Sequence, residues 1–176
     1  MIISFFWPCF SFAAENANLT SGTCGDHCSW SMQNGTLKLS GYGDINGYAL
    51  YSAPWYWDAS HITKIVIENS SDTQTFKSIG GTTFCALTAV KEVILPEMLT
   101  QIDEGAFLGC EKLERFVVPE SVTDIGYGAF ANCLVLEEIT LPFIGTDRES
   151  RLHFSYVLGA REPTDAFILP KLRCVR

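Results

Sequence analysis

Two stretches, ILPEMLTQIDEGAFLGC (Ile94–Cys110) and VVPESVTDIGYGAFANC (Val117–Cys133), decide the fold because they are near-copies of each other. They align without a gap, and eight of their seventeen positions are identical. A constant period between about 20 and 50 residues is typical of repeat architectures, in which each unit packs on its neighbours. The sequence therefore predicts a stack of similar units.

Each unit begins with a strand-like phrase that ends in proline. The phrases are VKEVILP (90–96), LERFVVP (113–119) and LEEITLP (136–142), with apolar residues at their first, fourth and sixth positions. A turn and a short helical segment are predicted to follow. One unit is too small to bury its own apolar side, but stacked units can do so. The stacking places like on like: Leu113 over Leu136, Phe107 over Phe130, and Cys110 over Cys133. This pattern predicts an α/β solenoid of about 23-residue rungs with parallel strands.

The repeat continues less regularly in both directions. Upstream, ITKIVIE repeats the strand phrase from Ile62. The interval from Ile62 to the next phrase at Val90 is wider than between the later phrases, and Leu87 stands in the place of the rung cysteine. Downstream, LRCV at Leu172 is expected to be a fifth strand, after an irregular insertion near residues 143–168. The solenoid is therefore assigned to residues 61–176.

The part of the chain before the solenoid differs in composition from the repeats. Residues 1–14, MIISFFWPCFSFAA, combine an apolar run with small residues, which predicts a secretory signal peptide. The run lacks the usual basic residue, so the alternative is a cytosolic apolar tail or a misread start codon. Residues 15–60 are predicted to form a small β-rich capping module, with a hairpin turned by QNG that carries Trp30 on one arm. No later apolar run is long enough to span a bilayer.

The segment GYALYSAPWYWD (47–58) is dense in aromatic side chains and has two interpretations. The cluster either covers the open end of the stack, where apolar rung edges would otherwise meet water, or forms a stacking platform for sugars. We favour the first. The side chains concerned are Tyr48, Tyr51, Trp55, Tyr56 and Trp57.

Seven cysteines require an assignment. Cys24 and Cys28 are close enough in sequence for a small disulfide loop, which an oxidising compartment permits. A zinc site that also uses His27 is the less favoured alternative, because no second clustered pair is present. Cys110 and Cys133 are interpreted as small buried apolar residues, with a disulfide between adjacent rungs as the alternative. Three cysteines are left: Cys9 lies in the signal peptide, and Cys85 and Cys174 are unassigned.

Composition excludes several function classes. At 176 residues and 47% hydrophobic, the chain can bury one continuous core. A net charge of −8 argues against a nucleic-acid partner, because no basic patch is present to replace phosphate counterions. The histidines, His27, His61 and His153, lie in no catalytic signature. We therefore predict a protein that is not an enzyme, uses no cofactor or metal, and is a monomer.

The outward positions of the strand phrases form two stripes. Lys64, Glu92, Arg115 and Glu138 alternate in sign, and neighbours of opposite charge on adjacent strands have a purely structural explanation. Val66, Ile94, Val117 and Thr140 are β-branched, mostly apolar and expected to face solvent. An exposed apolar stripe on a sheet indicates a contact surface, so these four residues are the candidate partner-binding site. The alternatives are that β-branched residues simply favour strands, or that the N-terminal module or a loop covers the stripe.

The quoted repeat, with its Pro-x-x-Val-Thr-x-Ile-x-x-Gly-Ala-Phe-x-x-Cys pattern at Val118–Cys133 and its counterpart at Leu95–Cys110, resembles the BspA-type (Treponema pallidum-type) leucine-rich repeat. The leader SGTCGDHCSWSMQNGTLKLSGYGDI, followed by APW, is similar to a module that often precedes such repeats in surface proteins. The resemblance implies a leucine-rich-repeat stack that is secreted or attached to a cell surface. It carries no catalytic residues.

The function that the resemblance implies is adhesin-like binding of an extracellular protein or glycan. The chain departs from the usual pattern in having few repeats and in ending at LRCVR with no anchor. The alternative is therefore a structural spacer or N-terminal cap fragment of a longer surface protein, with no ligand of its own.

Overall fold

Twelve short strands occur in the part of the chain that the computed structural model describes, which is residues 20–143 and 154–159 and the backbone of residues 174–175. In chain order they are β1 (Ser21–Gly25), β2 (Cys28–Gln33), β3 (Thr36–Gly41), β4 (Gly43–Ile45), β5 (Lys64–Asn69), β6 (Phe76–Ile79), β7 (Glu92–Ile94), β8 (Gln101–Ile102), β9 (Arg115–Val117), β10 (Asp124–Ile125), β11 (Glu138–Thr140) and β12 (Cys174–Val175).

The strands form three sheets. One has the order β1-β2-β3-β5-β7, the second has the order β9-β11-β12, and the third has the order β4-β6-β8-β10. The first three strands pair antiparallel, and every later pairing is parallel. The turn between β2 and β3 is Asn34–Gly35, where both residues have positive φ, as a tight hairpin turn requires. The predicted hairpin with Trp30 on one arm is confirmed.

The parallel strands stack in a fixed register, so that equivalent apolar residues lie one above another. Leu37 pairs with Ile65 and Ile65 with Val93, and in the third sheet Ile79 pairs with both Ile45 and Ile102. Strands β3 and β4 therefore have the same relation to β5 and β6 as successive repeats have to one another. The pattern of two strands per unit begins before residue 61.

The predicted helical segment of each repeat, and with it the helical part of the α/β class, is wrong. No α-helix occurs in the residues that the structure describes, and the two helical turns, Tyr56–Asp58 and Phe154–Tyr156, are of the 3-10 type. The segments around Gly-Ala-Phe are chains of tight turns whose backbone N–H groups bond to the next unit. Phe84 donates to the carbonyl of Ala106 at 2.8 Å, and Phe107 donates to that of Ala129 at 2.9 Å. An N–H group committed to a neighbouring unit cannot close a helical bond.

Residues with positive φ at two places per unit give this turn geometry. Gly105 and Gly109 have φ of 62° and 75°, in the left-handed region that would interrupt any helix. The same two places are occupied by Thr82 and Ala86 in the preceding unit, also with positive φ. The turn segments are thus held between units by hydrogen bonds, and the described fold consists of strands and turns.

A row of aromatic rings runs through the core. Phe84, Phe107 and Phe130 stack at ring-centroid distances of 5.3 and 5.8 Å, and Trp55 extends the row at 5.7 Å from Phe84. Trp55 is fully buried, and its Nε1 donates to the Thr83 carbonyl at 3.2 Å. Burying each ring stabilises the fold by roughly 1.5–3 kcal/mol. The stacking of Phe107 over Phe130 predicted from the repeat is confirmed.

Beyond the last full repeat, two predicted features are partly within the described residues. LRCV contains β12, which pairs parallel with β11, so the expected fifth strand is confirmed. Within the insertion near 143–168, Tyr156 and Val157 accept backbone hydrogen bonds from Gly128 and Phe130 and so continue the ladder of turns. The remainder of that insertion and the predicted signal peptide, residues 1–14, lie outside the described residues. No helix in the described part of the chain is long and apolar enough to cross a membrane.

Candidate functional site

The four residues of the predicted apolar stripe lie on β5, β7, β9 and β11, which belong to the first and second sheets. Val66 pairs with Ile94, and Val117 pairs with Thr140. Val117 is 64% exposed and Ile94 is 42% exposed, which places both among the most exposed large apolar residues of the described chain. Val66 and Thr140 are half-buried. The side chains point away from the core because their neighbours in each strand, such as Phe116, point into it.

The charged stripe beside it is made of ion pairs. Lys64 Nζ lies 2.9 Å from Glu92 Oε1, and Arg115 Nε lies 3.8 Å from Glu138 Oε2. Both pairs join laterally neighbouring strands, and their side chains are substantially exposed. Exposed pairs of this kind contribute about 0.2–1 kcal/mol each. The arrangement favours a structural explanation for these four residues.

Three residues of the apolar stripe line a groove between β7 and β9. The groove has a volume of about 540 Å³ and is bounded by Val93, Ile94, Leu95, Glu97, Val117, Val118, Pro119, Glu120 and Thr140. It lies where the pairing of neighbouring strands is interrupted, since β7 is the last strand of the first sheet and β9 is the first strand of the second. The sequence pattern does not reveal this interruption, which we call the seam.

The seam changes the burial of one repeat relative to the others. Ile65, Phe116 and Ile139 are buried, but Val93, at the same place in its strand, is only half-buried. Leu95 is likewise half-buried, although the equivalent Val118 in the next unit is buried. Apolar side chains that the repeat covers elsewhere are therefore partly open at the seam. The exposed stripe residues Ile94 and Val117 and the half-buried Val93 and Leu95 therefore line the same groove.

The aromatic segment divides between core and surface. Trp55 is buried against Trp30 and Phe84, and Tyr48 packs edge-on against Trp55 at 5.6 Å. Tyr51 is 58% exposed and lies against Tyr56, with ring centroids 5.2 Å apart. The buried Trp55 thus favours the interpretation of the segment as a cover for the stack, and the exposed Tyr51 favours the interpretation as a platform for sugars.

Tyr51 also borders a second cleft, of about 390 Å³, that sequence reasoning missed. Its walls come from the turns of three successive units: Cys85, Ala86, Thr88, Leu108, Gly109, Glu111, Asn132 and Leu134. None of the residues that line this cleft also lines the seam groove. The only signal in the sequence was the equal spacing of Ala86, Gly109 and Asn132, which all have positive φ. That spacing indicates neighbouring turns but does not show that a cleft lies between them.

The candidate disulfide residues are bonded to each other in the structure. Cys24 and Cys28 have Cα atoms 5.1 Å apart, on β1 and β2. His27, between them, is exposed and stacks on Tyr42 with ring centroids 4.4 Å apart. Sulfur atoms joined in a disulfide are not thiolate ligands for zinc. Within residues 20–143 and 154–159, no group of three metal-ligating side chains is found.

The rung cysteines are buried thiols without a disulfide. Cys110 and Cys133 are free and fully buried, and the thiol of each donates to a backbone carbonyl of the preceding unit. Burial raises the pKa of Cys133 to about 12 and that of Cys110 well above its ordinary value. Cys85 is also free and buried, and burial raises its pKa. A buried thiol whose pKa is raised is a poor nucleophile, so Cys110 and Cys133 fill space in the core, while Cys85 lies at the wall of the second cleft.

Solved structures of leucine-rich-repeat proteins resemble this chain at low identity. A leucine-rich repeat protein from Eubacterium ventriosum is 22% identical, with a TM-score of 0.47 over 68% of this chain and 43% of that one. A leucine rich cell surface protein from Faecalibacterium prausnitzii is 14% identical, with a TM-score of 0.41 over 70% of this chain and 45% of that one. A leucine-rich repeat protein from Bacteroides capillosus is 19% identical, with a TM-score of 0.40 over 69% and 97%. The chain spans less than half the length of the first two.

No curated protein matches the chain. The model of the BspA type leucine rich repeat region matches residues 55–151, more than half of the sequence, in six copies. These residues include the seam, the apolar stripe and the aromatic row. The chain therefore belongs to the BspA-type leucine-rich-repeat family.

Proposed function

We propose that this chain is a non-catalytic, adhesin-like binding module that acts outside the cell or at its surface and recognises an extracellular protein. The observation that carries the proposal is the apolar stripe: Ile94 and Val117 are exposed and open into the seam groove. Exposed contiguous apolar surface on a repeat protein is typical of a contact site. The repeat architecture of the family provides such surfaces from several units at once.

The remaining chemistry of the described residues supports binding rather than catalysis. Burial raises the pKa of Cys110 and Cys133, which disfavours their nucleophilic thiolate form. His27 and His61 are exposed and far apart in sequence; His27 stacks on Tyr42, and His61 contacts Asp58. A Cys24–Cys28 bond suits an oxidising compartment, which supports secretion. An excess of acidic side chains argues against nucleic acid, so we assign no nucleic-acid partner.

The test compares two variants that add the same charge in different places. Val117→Glu alters the stripe, and Leu134→Glu alters an apolar residue that is 48% exposed and lies outside the seam groove. Both variants are expected to keep the circular dichroism spectrum and the thermal midpoint of the parent nearly unchanged, because both sites are exposed. Each protein is titrated against immobilised extracellular-matrix proteins.

The proposal expects saturable binding that Val117→Glu abolishes and Leu134→Glu leaves intact. Binding that both variants retain would place the contact surface elsewhere. Light scattering of the unbound protein is expected to give a monomer mass. A dimer whose formation depends on Val117 would make the stripe a self-association surface instead.

Glycan binding is the second candidate. It is favoured by Tyr51, which is exposed, lies against the half-buried Tyr56 and borders the second cleft. Aromatic rings of this kind stack on the apolar faces of sugars, and Glu111 and Asn132 border the same cleft with groups that can accept or donate hydrogen bonds. A glycan array would then show binding that Tyr51→Ala or Leu134→Glu removes and Val117→Glu does not. If neither protein nor glycan binds, the structural spacer or cap fragment of a longer surface protein becomes the better account.

A further inference from the structure

We propose that the seam groove binds a short peptide segment of a protein partner in which an apolar side chain is flanked by lysine or arginine. This inference rests on the proposed function, since it specifies the chemistry of the partner for the same surface. It concerns the groove between β7 and β9, whose position the repeat pattern alone does not indicate.

The apolar part of the proposal comes from the interrupted ladder. Elsewhere the lateral pairing of strands covers the inward side chains, but at the seam Val93 and Leu95 stay half-buried. With Ile94, Val117 and Val118 they give the groove an apolar floor and walls. The volume of about 540 Å³ falls within the range of ligand pockets. An inserted aliphatic side chain would cover what the missing pairing leaves open, and that burial is the source of affinity.

The basic part of the proposal comes from the charges at the groove. Glu97 and Glu120 line it, and no lysine or arginine among the described residues does. The described residues carry fifteen aspartates and glutamates against six lysines and arginines, so the surrounding field is also negative. A cationic segment is attracted by both the local carboxylates and the wider field. An acidic segment would be repelled by the same groups, which gives the groove selectivity as well as affinity.

The experiment uses fluorescently labelled synthetic peptides and the whole chain. One peptide has a central leucine between lysine and arginine residues; a second replaces the leucine by asparagine; a third replaces the basic residues by glutamate. We expect the first to bind most tightly in fluorescence polarisation. Loss of the leucine is expected to weaken binding about tenfold or more, because one buried aliphatic side chain accounts for that ratio.

Two variants assign the binding to the groove. Val117→Gln makes its apolar wall polar without changing the charge and is expected to reduce binding of the leucine peptide to the level of the asparagine peptide. Glu97→Lys reverses one lining charge and is expected to weaken the basic peptide several-fold and to strengthen the acidic one. Raising the salt concentration should weaken the parent more than Glu97→Lys. Leu134→Gln, at an exposed apolar residue outside the groove, is the control and should change none of these affinities.

The outcomes separate this inference from the function on which it rests. Equal binding of the leucine and asparagine peptides would overturn the inference, because charge alone would then account for the affinity. Binding that is insensitive to Glu97→Lys would also overturn it, because the peptide would then bind outside the seam groove. If a matrix protein binds in a Val117-dependent way while no peptide is preferred, the proposed function stands and the inference is wrong. If neither peptides nor proteins bind, both are wrong.

Discussion

The thiol of Cys133 donates a hydrogen bond to the carbonyl oxygen of Phe107, 3.4 Å away, and Cys110 makes the same contact with Phe84 one unit earlier. The two cysteines are thus used in the same way: each side chain links its own turn to the aromatic row of the preceding unit. Their equivalence in sequence reflects an equivalent contact in the core.

The first prediction is that alkaline pH destabilises the protein through these thiols. The pKa of Cys133 is raised by burial to about 12, whereas an unfolded cysteine titrates near about 8.5. Between these values the unfolded chain binds fewer protons than the folded one, so the free energy of unfolding falls as pH rises. The loss is up to about 1.4 kcal/mol per pH unit for this residue. Below the unfolded pKa its contribution is fully present.

Urea unfolding under reducing conditions, repeated from neutral to alkaline pH, measures this slope. Cys133→Ala is the control: it is less stable at neutral pH because it leaves a cavity, but it should lose the part of the slope that Cys133 causes. Identical slopes for the parent and the variant would contradict the assignment.

The second prediction concerns two residues at the same place in adjacent turns. Ala86 and Gly109 have φ of 57° and 75°, and a Cβ added at Gly109 would meet nothing closer than 3.6 Å. The cost of a side chain there is therefore backbone strain rather than a clash. Ala86→Gly is expected to stabilise by up to about 1 kcal/mol, and Gly109→Ala to destabilise by about 1–2 kcal/mol. Chemical denaturation gives both values. If both substitutions changed the free energy of unfolding in the same direction, backbone strain would not be what determines the stability effect at this place.

The third prediction concerns the aromatic row. Phe107 contacts Phe84, Phe116 and Phe130, with centroid distances of 5.3, 4.8 and 5.8 Å. Phe107→Ala is expected to cost about 3–5 kcal/mol, and Phe107→Leu less, because leucine refills part of the space. Tyr51→Ala, at an aromatic residue that is 58% exposed, should change the free energy of unfolding by less than about 0.5 kcal/mol. A small effect at Phe107 would mean that the row is not part of the cooperative core.

The fourth prediction is that the charged stripe contributes little. Lys64 and Glu92 are 2.9 Å apart, but their side chains are 34% and 55% exposed. A double-mutant cycle to alanine is expected to give a coupling of about 0.2–1 kcal/mol that shrinks at high salt. The same cycle between Lys38 and Glu92 serves as control, since Lys38 pairs with Glu68 instead. A larger Lys64–Glu92 coupling would point to a network around the pair.

Much of the fold could be predicted from the sequence because the constant spacing of the repeat fixes which residues of successive units are equivalent. The evenly spaced prolines Pro96, Pro119 and Pro142 and the shared Gly-Ala-Phe placed Phe107 over Phe130 without reference to any other information. The prediction of helical turn segments is wrong because a short apolar run such as Ala-Phe-Leu fits one turn of helix as well as it fits a series of tight turns. The hydrogen bonds that decide otherwise run between units, as from Phe107 to Ala129, and no local pattern contains them.

One part of the candidate site could be predicted from the sequence, and the other part could not. Alternation along each strand was enough to predict that Ile94 and Val117 face outward, because side chains of a strand point alternately to its two sides. The seam could not be predicted, since it is an interruption of pairing between β7 and β9, and the spacing of residues along the chain is the same there as between the next two repeats. It coincides with β9, whose inward residue is the aromatic Phe116, packed on Phe107 and Phe130, where the neighbouring strands carry aliphatic residues.

The sequence by itself thus determined the period of the stack, its parallel strands and the residues that face its core, because each of these depends on spacing along the chain. Only the tertiary structure decided that Trp55 enters the core while Tyr51 stays exposed, and that Val93 is left half-covered beside a groove. These outcomes depend on the space left between units after packing. That space is set by side chains far apart in the sequence, so it becomes visible only when the units are brought together.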